Sequence, residues 1–262
     1  MIKKMLKQFF RAFGLEVSRY IRPVRSKKTD RLTLYETKTG KYYLPTDAHG
    51  DFVAHTIINN GVYEEEVVDC AKKYVQPDSA VLDVGANFGQ MTVIFSSMVG
   101  QKGKVYSFDA DDFVFDILKK NIEVNNLVNV TPIFGAVHNV TGETLFFPEQ
   151  DFVKWGAYGA YGIDYNARSG RKVPTITIDS LNIADKISFM KIDIQGGDLL
   201  ALKGAVQTIK RNKMPIIFEY ESAYQDDFKF NFQEYVDFVL SIGYRFDKVI
   251  CGHNYLVLPK NL

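Results

Sequence analysis

From Tyr63 onward, short apolar runs alternate with longer amphipathic ones. "AVLDVG" (80–85), "KVYSFDA" (104–110), "VTPIFGAV" (130–137), "ISFMKIDI" (187–194) and "MPIIFEY" (214–220) read as buried strands. The stretches 64–75, 90–99, 112–127, 198–212 and 232–243 read as helices. In the third of these, Phe115, Leu118 and Ile122 form one apolar stripe. Pro77 and Asp78 stop the first helix. Strands alternating with helices predict an α/β fold, a mostly parallel sheet with helices on both faces. The last two runs, "RFDKVI" and "NYLVLP", are separated only by "CGH". So short a connection permits only an antiparallel hairpin, so the sheet should end in an antiparallel last strand.

One segment breaks this rhythm. Residues 142–172 place Trp155, Tyr158, Tyr161 and Tyr165 among Gly156, Gly159 and Gly162. Two readings stand: a functional lid, or a plain hairpin excursion from the sheet.

Composition narrows the function classes. The chain has 262 residues, 46% hydrophobic and 24% charged, with a formal net charge of +1. That balance does not point to nucleic acid as a partner. Cys70 and Cys251 lack metal-ligand spacing, and no apolar run reaches the roughly 18 residues of a membrane span, so a cytoplasmic protein is expected. Charge segregates only at the amino terminus. In residues 2–13, Ile2, Met5, Leu6, Phe9 and Phe13 share a helical face, and Lys3, Lys4, Lys7 and Arg11 lie off it. Such a helix docks on its own domain, on a second copy in a homo-oligomer, or peripherally on an anionic membrane surface. The following "RPVRSKKTDR" reads as a solvated basic linker, closing an amino-terminal region of residues 1–30.

The chemistry concentrates in "VLDVGANFG". Gly85 and Gly89 let backbone approach a ligand beyond the carboxyl end of the first core strand. The helix that follows offers backbone N–H groups to a carboxylate, and Asp83 offers negative charge to an ammonium. A ligand with both groups is an amino acid, and S-adenosylmethionine carries one. NAD is the alternative, but its G-x-G-x-x-G loop would need a glycine where Asn87 stands. Asp109, roughly 20 residues on, sits where an acid holds ribose hydroxyls in either case. On this reading a side chain at Gly85 would block the ligand and leave the fold largely intact.

"VLDVGANFG", "FDAD", "TITIDSLN", "FMKIDIQGGDLLALKGA" and "PIIFEYE", in that order, resemble the FkbM family of S-adenosylmethionine-dependent methyltransferases. "GVYEEE" resembles that family's entry segment. The resemblance covers most of Asn60 to Tyr220 and implies a Rossmann-like class I methyltransferase fold with a seven-stranded sheet, expected as a domain over residues 31–262, and O-methylation of sugars or secondary-metabolite hydroxyls. It adds Glu64, Ala110 and Ala136 to Asp83, Gly85, Asn87, Gly89 and Asp109 as cofactor residues. Two departures stand out: Asp109 replaces a glutamate, and the K-I-D-x-E-G-x-E pattern reads "KIDIQGGD". Gln195 thus replaces one glutamate and Asp198 shortens the other. An inactive cofactor-binding scaffold is the alternative this leaves.

Methyl transfer to a hydroxyl needs alignment and a proton acceptor. Asp193, Asp198, Glu219 and Glu221 fall at the carboxyl ends of the fourth and fifth strands. Asp193, Glu219 and His138 are the candidate catalytic groups. Asp193, Asp198 and Glu219 are candidate ligands for Mg²⁺ or Ca²⁺, with a helix cap as the other role for Asp198. Lys191 is expected on the opposite side of its strand from Asp193. Trp155, Tyr158 and Tyr161 are expected to stack on a sugar or glycan acceptor.

Overall fold

The computed structural model describes residues 32–48, 50–147, 158, 162–163, 167–222 and 228–262, and the backbone of 26–28. Residues 2–13, Trp155, Tyr161 and Tyr165 therefore lie outside the described residues. The core is a seven-stranded sheet. Its parallel strands are β4 (Ala80–Val84), β5 (Lys104–Asp109), β6 (Val130–Phe134), β10 (Ile187–Ile192) and β11 (Ile216–Glu219). With β12 (Tyr244–Ile250) and β13 (Asn254–Pro259), the order is β12-β13-β11-β10-β4-β5-β6. β13 runs antiparallel to both β11 and β12, so it alone is reversed. The expected fold class holds in full.

Both sheet faces are covered because the central strands bury both sets of side chains. Leu82, Val84, Met190, Ile192, Ile216 and Phe218 pack under α5 (Asp198–Lys203), α6 (Val206–Asn212) and α7 (Phe232–Ser241). Val81, Val105, Phe189 and Ile217 point the other way, onto α2 (Glu65–Tyr74) and α3 (Gln90–Val99). Helix ends follow local chemistry. Asp111 caps α4 (Asp112–Val124) by accepting from Phe113 N and Val114 N. Asn231 and Glu234 form a reciprocal capping box on α7.

Several boundaries differ from the pattern, each for a tertiary reason. The expected strand 130–137 breaks at Gly135, φ +151°, and β7 (Ala136–Val137) leaves the main sheet to pair with β9 (Arg171–Ile176). The expected helix 198–212 divides at Gly204, where a Cβ would lie 2.0 Å from the His138 carbonyl oxygen. The aromatic segment 142–172 is framed by β8 (Thr144–Phe147) pairing antiparallel with β9, so its described ends form the hairpin excursion.

Ahead of the core, β1 (Ser26–Lys28), β2 (Leu32–Thr37) and β3 (Gly40–Pro45) form an antiparallel meander. Ser26–Lys28 thus belongs to a sheet rather than to a solvated linker. The meander and α1 (Phe52–Ile58) pack against α4 through Tyr42, Leu44, Ile57 and Ile117. Asn121, fully buried, ties the two together. Its Oδ1 accepts from Tyr43 N at 2.6 Å, and its Nδ2 donates to Tyr43 O and Phe88 O.

Candidate active site

β4 lies between β5 and β10, and the strand order reverses there, so a crevice opens beyond their carboxyl ends. The β4–α3 loop enters it with positive φ at Gly85 (+85°), Asn87 (+52°) and Gly89 (+86°). Backbone bonds fix this path: Gly85 N and Ala86 N both donate to Phe108 O, and Asn87 N donates to Asp109 Oδ2. A Cβ on Gly85 would lie 1.8 Å from the Asp193 carbonyl oxygen. Glycine is therefore required first by the close approach of β4 to the end of β10. A side chain there disrupts the sheet itself, which corrects the expectation of an intact fold. Gly89 faces Leu118 instead, its Cβ position 2.6 Å from Leu118 Cδ1, and stays off the crevice wall.

Gly85, Asn87, Asp109, Ala110 and Ala136 all line the crevice. Asp109 accepts Asn87 N at 2.9 Å and Asp111 N at 3.0 Å, one on each oxygen. Burial pushes its pKa up to about 7, with the Asp111 charge adding to the rise and the backbone N–H donors opposing it. Each oxygen keeps a lone pair for a ligand hydroxyl. The crevice margin is braced by Arg171 of β9, which reaches both oxygens of the cap residue Asp111. No sequence pattern marked that contact.

Asp83 and Glu64 do not line the crevice. Asp83 is enclosed between sheet and α3, where Thr92 Oγ1 donates to it at 2.5 Å. Burial raises its pKa. Glu64, the residue before α2, accepts from Asn254 Nδ2 at 2.8 Å and lies 3.8 Å from Lys191 Nζ. His138 also stands outside the crevice wall; it is buried after β7, with burial lowering its pKa. Of the three acceptor-side aromatics, the described one, Tyr158, does line the crevice. It stacks on Phe113 at 5.5 Å, and its backbone N–H donates to Asp51 Oδ2.

The electrostatic centre is Lys191. Its Nζ lies 2.9 Å from Asp193 Oδ2, on the same side of the strand, opposite to expectation. Positions two apart share a face, so strict alternation itself favours the pairing. The register sets Lys191 beside Asp83 as well. Burial alone would push the Lys191 ammonium down, and the carboxylates of Asp193, Glu64 and Asp83 overturn it, so its pKa is raised. Burial likewise opposes ionised Asp193, yet Lys191 holds that carboxyl below the ordinary range. Asp193 is thus an anion at neutral pH.

Its neighbours are different. Burial and the Asp193 charge push Asp198 up to about 7 and Glu219 up to about 10. Asp198 Oδ1 accepts from Glu219 N at 3.1 Å, bridging α5 to β11 rather than facing the crevice. Gln195 lines the wall with φ +54°. Its Nε2 points to Asp193 Oδ1 at 3.4 Å, and its buried Oε1 has no hydrogen-bond partner among the described residues. Among the described residues, the groups that approach ligand-to-ligand spacing are Glu219, Glu221 and His253, not the expected Asp193, Asp198 and Glu219.

S-adenosylmethionine fits what is present. The Lys191 end of the crevice sets an ammonium beside the Asp193 carboxylate on the wall, a pair that suits the carboxylate and ammonium of an amino-acid moiety. Asp109 offers acceptors for ribose hydroxyls, and the small residues Gly135 and Ala136 leave room for a planar base. Sheet order, reversed β13, loop and acid together define the class I S-adenosylmethionine-dependent methyltransferase plan.

The family model described as the methyltransferase FkbM domain matches residues 83–246. The chain belongs to that family, and the NAD alternative falls with this assignment. A protein-L-isoaspartate(D-aspartate) O-methyltransferase model also matches, over residues 19–140. The chain is 39% identical over 59 residues to a probable cobalt-precorrin-6B C(15)-methyltransferase (decarboxylating) of Sulfolobus acidocaldarius, covering 22% of this chain and 31% of that protein. It is 41% identical over 56 residues to a ribosomal protein L11 methyltransferase of Thermoanaerobacter sp., covering 21% and 18%. The matched region thus spans less than a third of either relative's length. Methyltransferase FkbM from Methylobacillus flagellatus, a solved structure, is 17% identical over 73% of this chain and 50% of that one, with a TM-score of 0.46. No helix among the described residues is long and apolar enough to cross a membrane.

Proposed function

We propose that the protein transfers a methyl group from S-adenosylmethionine to a hydroxyl of a sugar or glycan. The observation that carries this reading is the ionised Asp193 held by Lys191 on the crevice wall, beside the β4–α3 loop. Bound there, S-adenosylmethionine supplies a methyl group on a positively charged sulfur. Asp193 accepts the proton of the hydroxyl that attacks. Lys191 keeps Asp193 ionised in the free site, and Gln195 orients it from the other oxygen. Replacement of the family glutamate by Gln195 therefore leaves the base in place, which supports an active enzyme over an inert scaffold.

Asp109 holds the ribose, with Ala110 and Ala136 beside the base. Tyr158 supports the acceptor side, where an aromatic ring suits the apolar face of a sugar. The balanced charge favours a small-molecule or glycan acceptor over nucleic acid. Residues 2–13 have the amphipathic pattern for peripheral membrane contact or for packing in a homo-oligomer.

The test is production of S-adenosylhomocysteine with a panel of sugar and glycan acceptors. Asp193→Asn keeps shape and removes charge, so kcat should fall at least about 10²-fold while cofactor affinity changes little. Full turnover in that variant would remove Asp193 as the base.

A further inference from the structure

His253 belongs to the turn between β12 and β13, and its ring sits among three acids. Its Nδ1 lies 3.4 Å from Glu221 Oε1, and its Nε2 lies 3.7 Å from Glu219 Oε1 and 3.9 Å from Glu64 Oε1. One ligand atom each from Glu219, Glu221 and His253 fall within 4.8 Å of one another. Ligand atoms around a first-row divalent ion, at about 2.1 Å from it, lie about 3–4 Å apart. The three groups need only a small inward adjustment to meet one ion.

A second, independent feature points the same way. Glu219 is 6% exposed, and its Oε2 has no hydrogen-bond partner among the described residues. Across the β11–β13 pairing, the buried Oδ1 of Asn254 also lacks a hydrogen-bond partner among the described residues. Buried acceptors without donors are costly, and here they gather on one spot. A cation held by the cluster satisfies the Glu219 carboxylate.

The backbone is already set for it. Glu219 pairs with Asn254 across β11 and β13, and Tyr220 N donates to His253 O at 2.9 Å. The two strand ends therefore hold His253 and the two glutamates in a fixed relation. Glu221 and His253 side chains are 35% and 33% exposed, which leaves an entry path from solvent.

We propose that Glu219, Glu221 and His253 form a binding site for a first-row divalent cation, such as Mn²⁺, Fe²⁺ or Zn²⁺. An imidazole among carboxylates favours these ions over Ca²⁺, which takes oxygen ligands. The site shares its Glu219 edge with the Asp193–Lys191 pair, and its occupation is read without cofactor or turnover.

The experiment is Mn²⁺ binding to the full chain at neutral pH, with free Mn²⁺ measured by electron paramagnetic resonance. One equivalent should bind to the wild type. His253→Ala and Glu221→Gln should each weaken binding at least about tenfold, as loss of a ligand requires. Circular dichroism on the same samples checks the fold. Glu221→Gln is isosteric and half-exposed, so it decides the matter if His253→Ala unfolds. No uptake by the wild type at about 1 mM Mn²⁺, the weak end of protein sites, would overturn the proposal and leave the cluster as packed polar side chains without an ion. Wild-type affinity in a folded Glu221→Gln variant would overturn it equally.

Discussion

Gly85→Ala tests whether the glycine of the ligand loop serves the sheet before it serves the ligand. The added Cβ would sit 1.8 Å from the Asp193 carbonyl oxygen, 2.8 Å from its carbon and 3.1 Å from Ile194 Cγ2. Ordinary contact starts at 3.4 Å, so strand ends must part by about 1.6 Å. The carbonyl cannot simply swing away, because Asp193 N is bonded to Val84 O at 2.9 Å and Ile192 is in register with Val84. The positive φ of 85° adds about 1–2 kcal/mol for any L side chain. Overpacking against backbone adds about 1–3 kcal/mol more, for a sum of about 2–5 kcal/mol. At about 2–4 °C per kcal/mol for a domain of this size, Tm should fall by about 4–20 °C in a melt followed by circular dichroism.

Gly243→Ala is the control. That residue has φ +78° and nothing within 4 Å of its Cβ position, so it carries only the backbone cost. It should lose about 1–2 kcal/mol. If the two variants melt together, close strand approach is not what demands glycine at position 85.

The remaining expectations concern charge. Lys191→Met leaves Asp193, Glu64 and Asp83 buried without their shared cation and should cost about 3–5 kcal/mol at pH 8 by urea unfolding. Asp193 has a lowered folded pKa, so its contribution is present above the ordinary carboxylate range and lost as pH falls through the lowered value. In the variant Asp193 protonates earlier, so the gap between the two proteins should narrow from pH 8 to pH 5; a constant gap would show that the ion pair is not its source. Asp109→Ala should weaken S-adenosylmethionine binding by about 1.5–3 kcal/mol in calorimetry. Because burial raises the Asp109 pKa to about 7, wild-type affinity should also decline below that pH while the variant stays flat. Parallel pH profiles would place the ribose elsewhere.

From Tyr63 on, hydrophobic periodicity alone carried the order of strands and helices of the main sheet, because a doubly covered parallel strand must be apolar on both faces; the amino-terminal meander and α1 were not read from it. The short "CGH" link likewise dictated the reversed final strand. The positions of Gly85, Asn87 and Asp109 on the crevice follow from chain order in such a sheet, so they too were legible. Contacts between distant segments were not. Nothing near Glu64 says that α2 begins over the end of β10, beside Lys191, or that His253 returns to Glu219 from 34 residues further on. The break at Gly135 depends on β9, some forty residues away, offering β7 a partner. Protonation states belong to the same class of question. Asp193, Asp198 and Glu219 are all acids at strand or helix ends, yet only Asp193 has an ammonium at 2.9 Å to offset burial. Local sequence sets which residues can carry charge; the tertiary structure sets which of them do, because desolvation and pairing are properties of the packed neighbourhood.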